Sequence, residues 1–170
     1  MSLIYTNLTA VAKTLGNIDK WLDKAEAHAK AKPFDVAVLL GARLSPDQFP
    51  LLKQIQIASD WVKNGHARLA DKPAPSHPDT EQTLAEIRAR IETCLAYVST
   101  FKSEDFAGAE KRLITSTRNP GKATLGSDFL AETVLPNFYF HAATSYAILR
   151  HNGVALGKSD YIGKVTQQDL

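Results

Sequence analysis

Seven apolar residues near the start of the chain, Ile4, Leu8, Val11, Leu15, Ile18, Leu22 and Ala25, recur in alternating steps of four and three. An α-helix turns once in about 3.6 residues, so this spacing holds all seven on one stripe. A helix with such a stripe must bury it against other elements. The pattern therefore predicts a helix over about 3–31 and a bundle built around it. Lys13, Lys20, Asp23, Lys24 and Glu26 fall off the stripe, and Lys32-Pro33 supplies the stop, because proline disfavours helical backbone in the residue before it.

The same period returns three times. Leu51, Ile55, Ala58, Val62, Gly65 and Leu69 predict a second helix over about 46–70, capped near Ser45 or Asp47, with Gln54, Gln56 and Trp61 on its flanks. The run Lys72-Pro73-Ala74-Pro75-Ser76-His77-Pro78 ends it. Leu84, Ile87, Ile91, Cys94, Val98 and Phe101 predict a third helix over about 79–102. The fourth, over about 128–151, opens at Ser127-Asp128 and stops at Gly153. It carries Pro136 inside its pattern, so it either begins there or is kinked, freeing a carbonyl near Glu132. Before it the period changes: Lys111 to Thr117 is short and β-branched, Arg118 to Lys122 is turn chemistry, and a small β-hairpin or irregular insert is expected. The apolar connection over 33–47 should pack on the bundle, and the tail after Gly153 shows no period. With 170 residues, 44% of them hydrophobic, the expectation is one all-α domain over 1–170, a four-helix bundle.

Composition narrows the function classes. The 20 basic and 18 acidic residues are interspersed, with no block of like charge to track a phosphate backbone or a membrane surface, so neither nucleic acid nor membrane is expected as a partner. No apolar run approaches the roughly 18 residues of a membrane span, and Met1–Ala10 lacks the basic start and apolar middle of a signal peptide. A cytoplasmic protein is expected. A single cysteine, Cys94, excludes an intrachain disulfide and thiolate clusters, and its place on the third stripe makes it a small core residue.

The fourth stripe breaks the rule that the others obey. It runs Leu130, Val134, Asn137, His141, Thr144, Ile148, so three hydrogen-bonding side chains stand where apolar ones belong. Each costs roughly 1–3 kcal/mol if buried without a partner. A wet cavity, an internal hydrogen-bond network or a ligand would relieve that cost. Trp61, Tyr139, Phe140 and Tyr146 could wall such a pocket.

Four segments carry a resemblance. Pro136-Asn137-Phe138-Tyr139-Phe140-His141, Ser145 to Gly153, Gly157 to Tyr161 and Phe49 to Gln56 resemble the signature of an uncharacterised bacterial family, a domain of unknown function of the DinB/YfiT-like clan. The resemblance covers nearly the whole chain and implies a DinB/YfiT-like four-helix bundle with a long crossover between the second and third helices. Metal-dependent members of the clan, thiol-dependent transferases and an isomerase among them, hold a divalent metal with three histidines, one on the second helix and two four residues apart on the last. Carried onto this chain, those positions fall near Gln54, on Asn137 and on His141, so one of three is histidine. Amide oxygens are weak ligands for zinc or nickel.

Three readings follow from these residues. In one, Gln54, Trp61, Asn137, His141 and Thr144 form a pocket for a small polar molecule, derived from a degenerate metal site, with His141 as a candidate metal-free general base. In another, His141 with Asn137 and Gln54 still holds zinc or nickel for a transferase-type enzyme. In the third, these side chains only satisfy one another within a structural bundle. A homodimer is compatible with all three, and no motif selects between an enzyme and a binding protein.

Overall fold

The computed structural model describes residues 2–117 and 119–169, so Arg118 of the expected hairpin turn lies outside the described residues. Helix α1 spans Leu3–Ala31, and its seven seam residues are all buried. Full burial stabilises each large aliphatic side chain by roughly 1.5–3 kcal/mol, which is what holds so long a helix against the bundle. After it come α2 (Ala37–Gly41), α3 (Leu51–Leu69) and α4 (Leu84–Ser99), then α5 (Gly126–Asp128), α6 (Leu135–His151) and α7 (Lys158–Ile162). The long helices α1, α3, α4 and α6 form the four-helix bundle, with α3 packed most extensively on α6. Among the described residues no helix is long and apolar enough to cross a membrane.

Two helices start later than their sequence predicts. Ser45 and Asp47 do not cap α3: the Ser45 hydroxyl turns to the Asp47 carboxylate, and Gln48 N–H closes a turn on the Ser45 carbonyl at 3.1 Å. The helix begins at Leu51, after the extended backbone of Pro50. Asp79 is not the start of α4, because Asp79 and Glu81 both turn to Arg90. Thr83 is the cap instead: its hydroxyl accepts from Glu86 N–H at 3.2 Å, and the Glu86 carboxylate accepts from Thr83 N–H at 2.9 Å.

The connections are folded onto the bundle. Leu39 and Leu40 of α2 enter the core, as the apolar character of that segment requires. Strands β1 (Leu113–Thr115) and β2 (Ala123–Leu125) pair antiparallel, with Ile114 opposite Thr124. Gly126 follows directly, where a Cβ would lie 1.9 Å from the Ala109 carbonyl oxygen, so only glycine fits. The tail without a period forms α7, held on α1 by Trp21 Nε1, which donates to the Asp160 carbonyl at 2.9 Å, and by Trp21 stacking on Tyr161.

Pro136 acts through the turn before it. Residues Phe129–Val134 form a π-helical turn, and α6 begins at Leu135 with Pro136 in its first turn. Proline lacks the N–H that would continue an α-helical ladder, and the wider turn absorbs the mismatch without breaking the helical path. Gly65 of α3 faces this turn, and a Cβ there would lie 2.8 Å from Val134 Cγ1.

Candidate functional site

Packing of α6 along α3 brings His141 to Gln54. His141 Nδ1 lies 2.6 Å from Gln54 Oε1, and Gln54 Nε2 donates to the Phe49 carbonyl at 3.0 Å. A carbonyl only accepts, so the Phe49 contact orients the amide with its oxygen toward the histidine. Nδ1 must then carry the proton, and Nε2 presents a lone pair. No described residue donates to Nε2. Burial disfavours the imidazolium, so the His141 pKa is lowered and the ring is neutral near pH 7.

Thr144 stands one turn along the same stripe. It is buried, and its hydroxyl has no hydrogen-bond partner among the described residues. Other hydroxyls in this core behave differently: Ser145 donates to the His141 carbonyl and Ser59 to the Ile55 carbonyl, each at 2.8 Å. Asn137 is half-buried, and its Nδ2 donates back to the Thr133 carbonyl in the π-helical turn at 2.7 Å. Trp61, two turns on from Gln54, packs half-buried against the core with no ring contact or hydrogen bond to His141. The structure thus joins Gln54 to His141, sets Thr144 beside them, and ties Asn137 to its own helix.

This donor set does not fit a zinc or nickel centre. Such a centre takes three protein ligands of imidazole, thiolate or carboxylate type. Here one imidazole meets one amide while Asn137 is turned to Thr133, and the direct Gln54–His141 hydrogen bond occupies the span an ion would need. Among the described residues no three His, Cys, Asp or Glu side chains converge in a metal-binding group.

A second polar cluster, on the other side of α3, was missed in reading the sequence. The Arg90 side chain is 1% exposed and pairs with Asp60 at 2.9 Å, Asp79 at 2.9 Å and Glu81 at 3.0 Å. Lys63 pairs with Asp60 at 3.0 Å, Lys53 binds Asp79, and Gln56 Nε2 donates to Glu81 at 2.8 Å. Three cations therefore meet three carboxylates. Burial opposes the charge on Arg90, but Glu81, Asp60 and Asp79 together outweigh it and raise its pKa. Burial likewise opposes charge on Asp79 and Glu81, yet the cations beside them lower both pKa values.

The network fastens the proline-rich crossover to the bundle. Its third visitor is His77, whose Nδ1 lies 3.4 Å from Lys63 Nζ and 3.7 Å from Cys94 Sγ. Burial, then Lys63 and Arg90, lower the His77 pKa against the opposing pull of Asp60 and Glu81. Cys94 gains a histidine neighbour from the loop rather than from its own helix, but burial pushes its thiol up to about 11, which leaves it protonated and inert. One signal for this cluster stood in the sequence: Arg90 lies three residues after Ile87 and four before Cys94, a core register for a charged residue.

Comparison with known proteins agrees with this architecture. The pattern of a family described as Domain of unknown function (DUF1993) matches residues 4–162. The crystal structure of a DinB family member protein from Shewanella denitrificans is similar at 43% sequence identity and a TM-score of 0.93, over 99% of this chain and 100% of that one. No curated protein matches the chain. With a family pattern spanning nearly its whole length and a DinB-like helical fold, the chain belongs to the DUF1993 family, a domain of unknown function.

Proposed function

We propose that the bundle binds a small polar molecule between α3 and α6, recognised by His141 Nε2 and the Thr144 hydroxyl. The observation that carries this reading is that two hydrogen-bonding groups of largely buried residues, one helical turn apart, have no partner among the described residues, while the Ser145 and Ser59 hydroxyls do. The Phe49–Gln54–His141 relay holds the imidazole in one tautomer, so Nε2 accepts from a hydroxyl, amine or thiol. Thr144 either donates or accepts beside it. The exposed rings of Phe140 and Tyr139 flank the stripe and offer apolar contact. Binding fits better than proton abstraction, because a lowered pKa makes His141 a weaker base than an ordinary histidine.

The test uses protein made without a metal-affinity tag and labelled with nitrogen-15 at histidine. Ethanolamine, glycerol, cysteamine and acetamide are titrated to tens of millimolar while the His141 Nε2 resonance is followed. A saturable shift in the wild type that is weakened in Thr144→Val supports the reading. An Nε2 resonance unmoved by all four overturns it. Zinc chloride titrated alone, retained through dialysis and moving the same resonance, would replace it with the metal-dependent reading.

A further inference from the structure

We infer that the groove between α1 and α4 is a second binding site, one that takes an apolar molecule bearing a single hydroxyl, of the phenol type, donated to His66 Nε2. The groove encloses about 460 Å³, enough for a small aromatic molecule. Ala12 and Gly16 of α1, Leu95 and Val98 of α4 and Phe101 supply apolar walls, with Lys13 at the exposed rim and His66 within. Gly16 keeps one wall low, since even a Cβ there would stand 3.7 Å from Leu95 Cδ1.

His66 gives the groove its chemistry. The residue is 2% exposed, and its Nδ1 lies 2.7 Å from the Val62 carbonyl. That carbonyl can only accept, so Nδ1 carries the proton and Nε2, at the outer end of the ring, carries a lone pair. No described residue donates to it. The rings of Phe101 and Phe106 sit 5.7 Å and 6.1 Å away and hold the imidazole in place. Burial pushes the His66 pKa down to about 4, so the site stays an uncharged acceptor at neutral pH. An acceptor among apolar walls selects a donor: a phenol satisfies it, and toluene leaves it unpaired.

The site is separate from that of His141. His66 lies twelve residues beyond Gln54 on α3, about 18 Å along the helix at 1.5 Å per residue. Nothing in the inference depends on the α3–α6 reading.

The experiment titrates phenol and toluene into the full chain and follows the Leu95 and Val98 methyl resonances. Phenol should bind saturably, about tenfold more tightly than toluene, the effect of one hydrogen bond. His66→Phe should erase the preference of phenol over toluene. Ala12→Trp, at a half-buried position in the groove wall, should abolish binding of both while thermal unfolding stays close to that of the wild type. His141→Ala should leave phenol binding unchanged. No saturable shift with phenol, equal affinity for phenol and toluene, or binding that survives Ala12→Trp would each overturn the inference. Should His66→Phe fail to fold, the ligand comparison and Ala12→Trp still decide it.

Discussion

Helix α3 carries two polar clusters on opposite sides, and they are built on opposite terms. Toward α4 and the crossover, Arg90 gathers Asp60, Asp79 and Glu81, and nearly every charge has its counter-charge. Toward α6, Gln54 and His141 are neutral, share one hydrogen bond, and leave Nε2 and the Thr144 hydroxyl open. An ion-paired network resists a guest, because breaking one partner strands the rest in a low-dielectric setting, even though Arg90 Nε and Asp60 Oδ1 make no hydrogen bond. An open neutral pair costs less to keep and is free to receive something. The contrast fits anchoring at the first cluster and the recognition we propose at the second.

The largest effect should come from Arg90→Met. Removing the cation leaves three carboxylates facing one another, and stranding buried charge typically costs about 3–5 kcal/mol. Because Asp60 and Asp79 are about a third exposed, the lower end is expected, about 3 kcal/mol by urea unfolding, together with faster proteolysis in the 72–82 loop. A loss under about 1 kcal/mol would erase the distinction between the clusters.

Acid should weaken the fold in a defined order. His66 has its pKa lowered from 6.5 to about 4 in the folded chain. Above pH 6.5 it is neutral in both states. Between 6.5 and about 4 only the unfolded chain takes up the proton, so stability falls by roughly 1.4 kcal/mol per pH unit, about 3 kcal/mol in all. The lowered pKa values of His77 and His141 act in the same direction below 6.5. Asp79 and Glu81 contribute the stability of charged carboxylates, present above their unfolded values near 4 and lost as pH falls through their lower folded values. Urea midpoints measured from pH 7.5 to 3.5 should therefore slope steadily in the wild type, and lose most of that slope above pH 4 in His66→Phe. A flat wild-type profile would contradict the burial of these histidines.

Gln54→Glu sharpens the comparison by moving one cluster toward the other. A carboxylate beside His141 Nδ1 favours the imidazolium, so the His141 pKa should rise by about one unit or more, read by NMR titration. An unchanged value would mean that the two side chains are apart in solution. The smallest effect is expected from Thr144→Val. The Thr144 oxygen is not among the fully buried atoms that lack a partner, so its loss should change stability by less than about 0.5 kcal/mol. A loss above about 1 kcal/mol would make Thr144 part of the closed framework.

Much of the bundle was legible because a helix seam is a local signal. The stripes of α1, α3 and α4 repeat a period that each segment carries within itself, and the buried residues follow it. The starts of α3 and α4 were not legible. Ser45, Asp47 and Asp79 have the chemistry of helix caps, but partners elsewhere took them: Ser45 and Asp47 took each other, and Arg90 took Asp79 from a helix beyond the crossover. The candidate site was half legible. His141, Asn137 and Thr144 stood out as polar residues on an apolar stripe, but that Gln54 would orient the imidazole, while Asn137 would turn back to Thr133, depended on how α3 meets the π-helical turn.

By itself the sequence determined four amphipathic helices, a hairpin between the third and fourth, and a polar interruption on the last, because periodicity and turn chemistry act over a few residues. Only the tertiary structure decided which polar groups were satisfied. Hydrogen bonds and ion pairs between side chains far apart in the chain depend on ångström-scale placement, and no spacing rule carries that. His66 shows the difference most sharply: in the sequence it is one histidine among five, and in the bundle it is a buried residue lining the groove between α1 and α4.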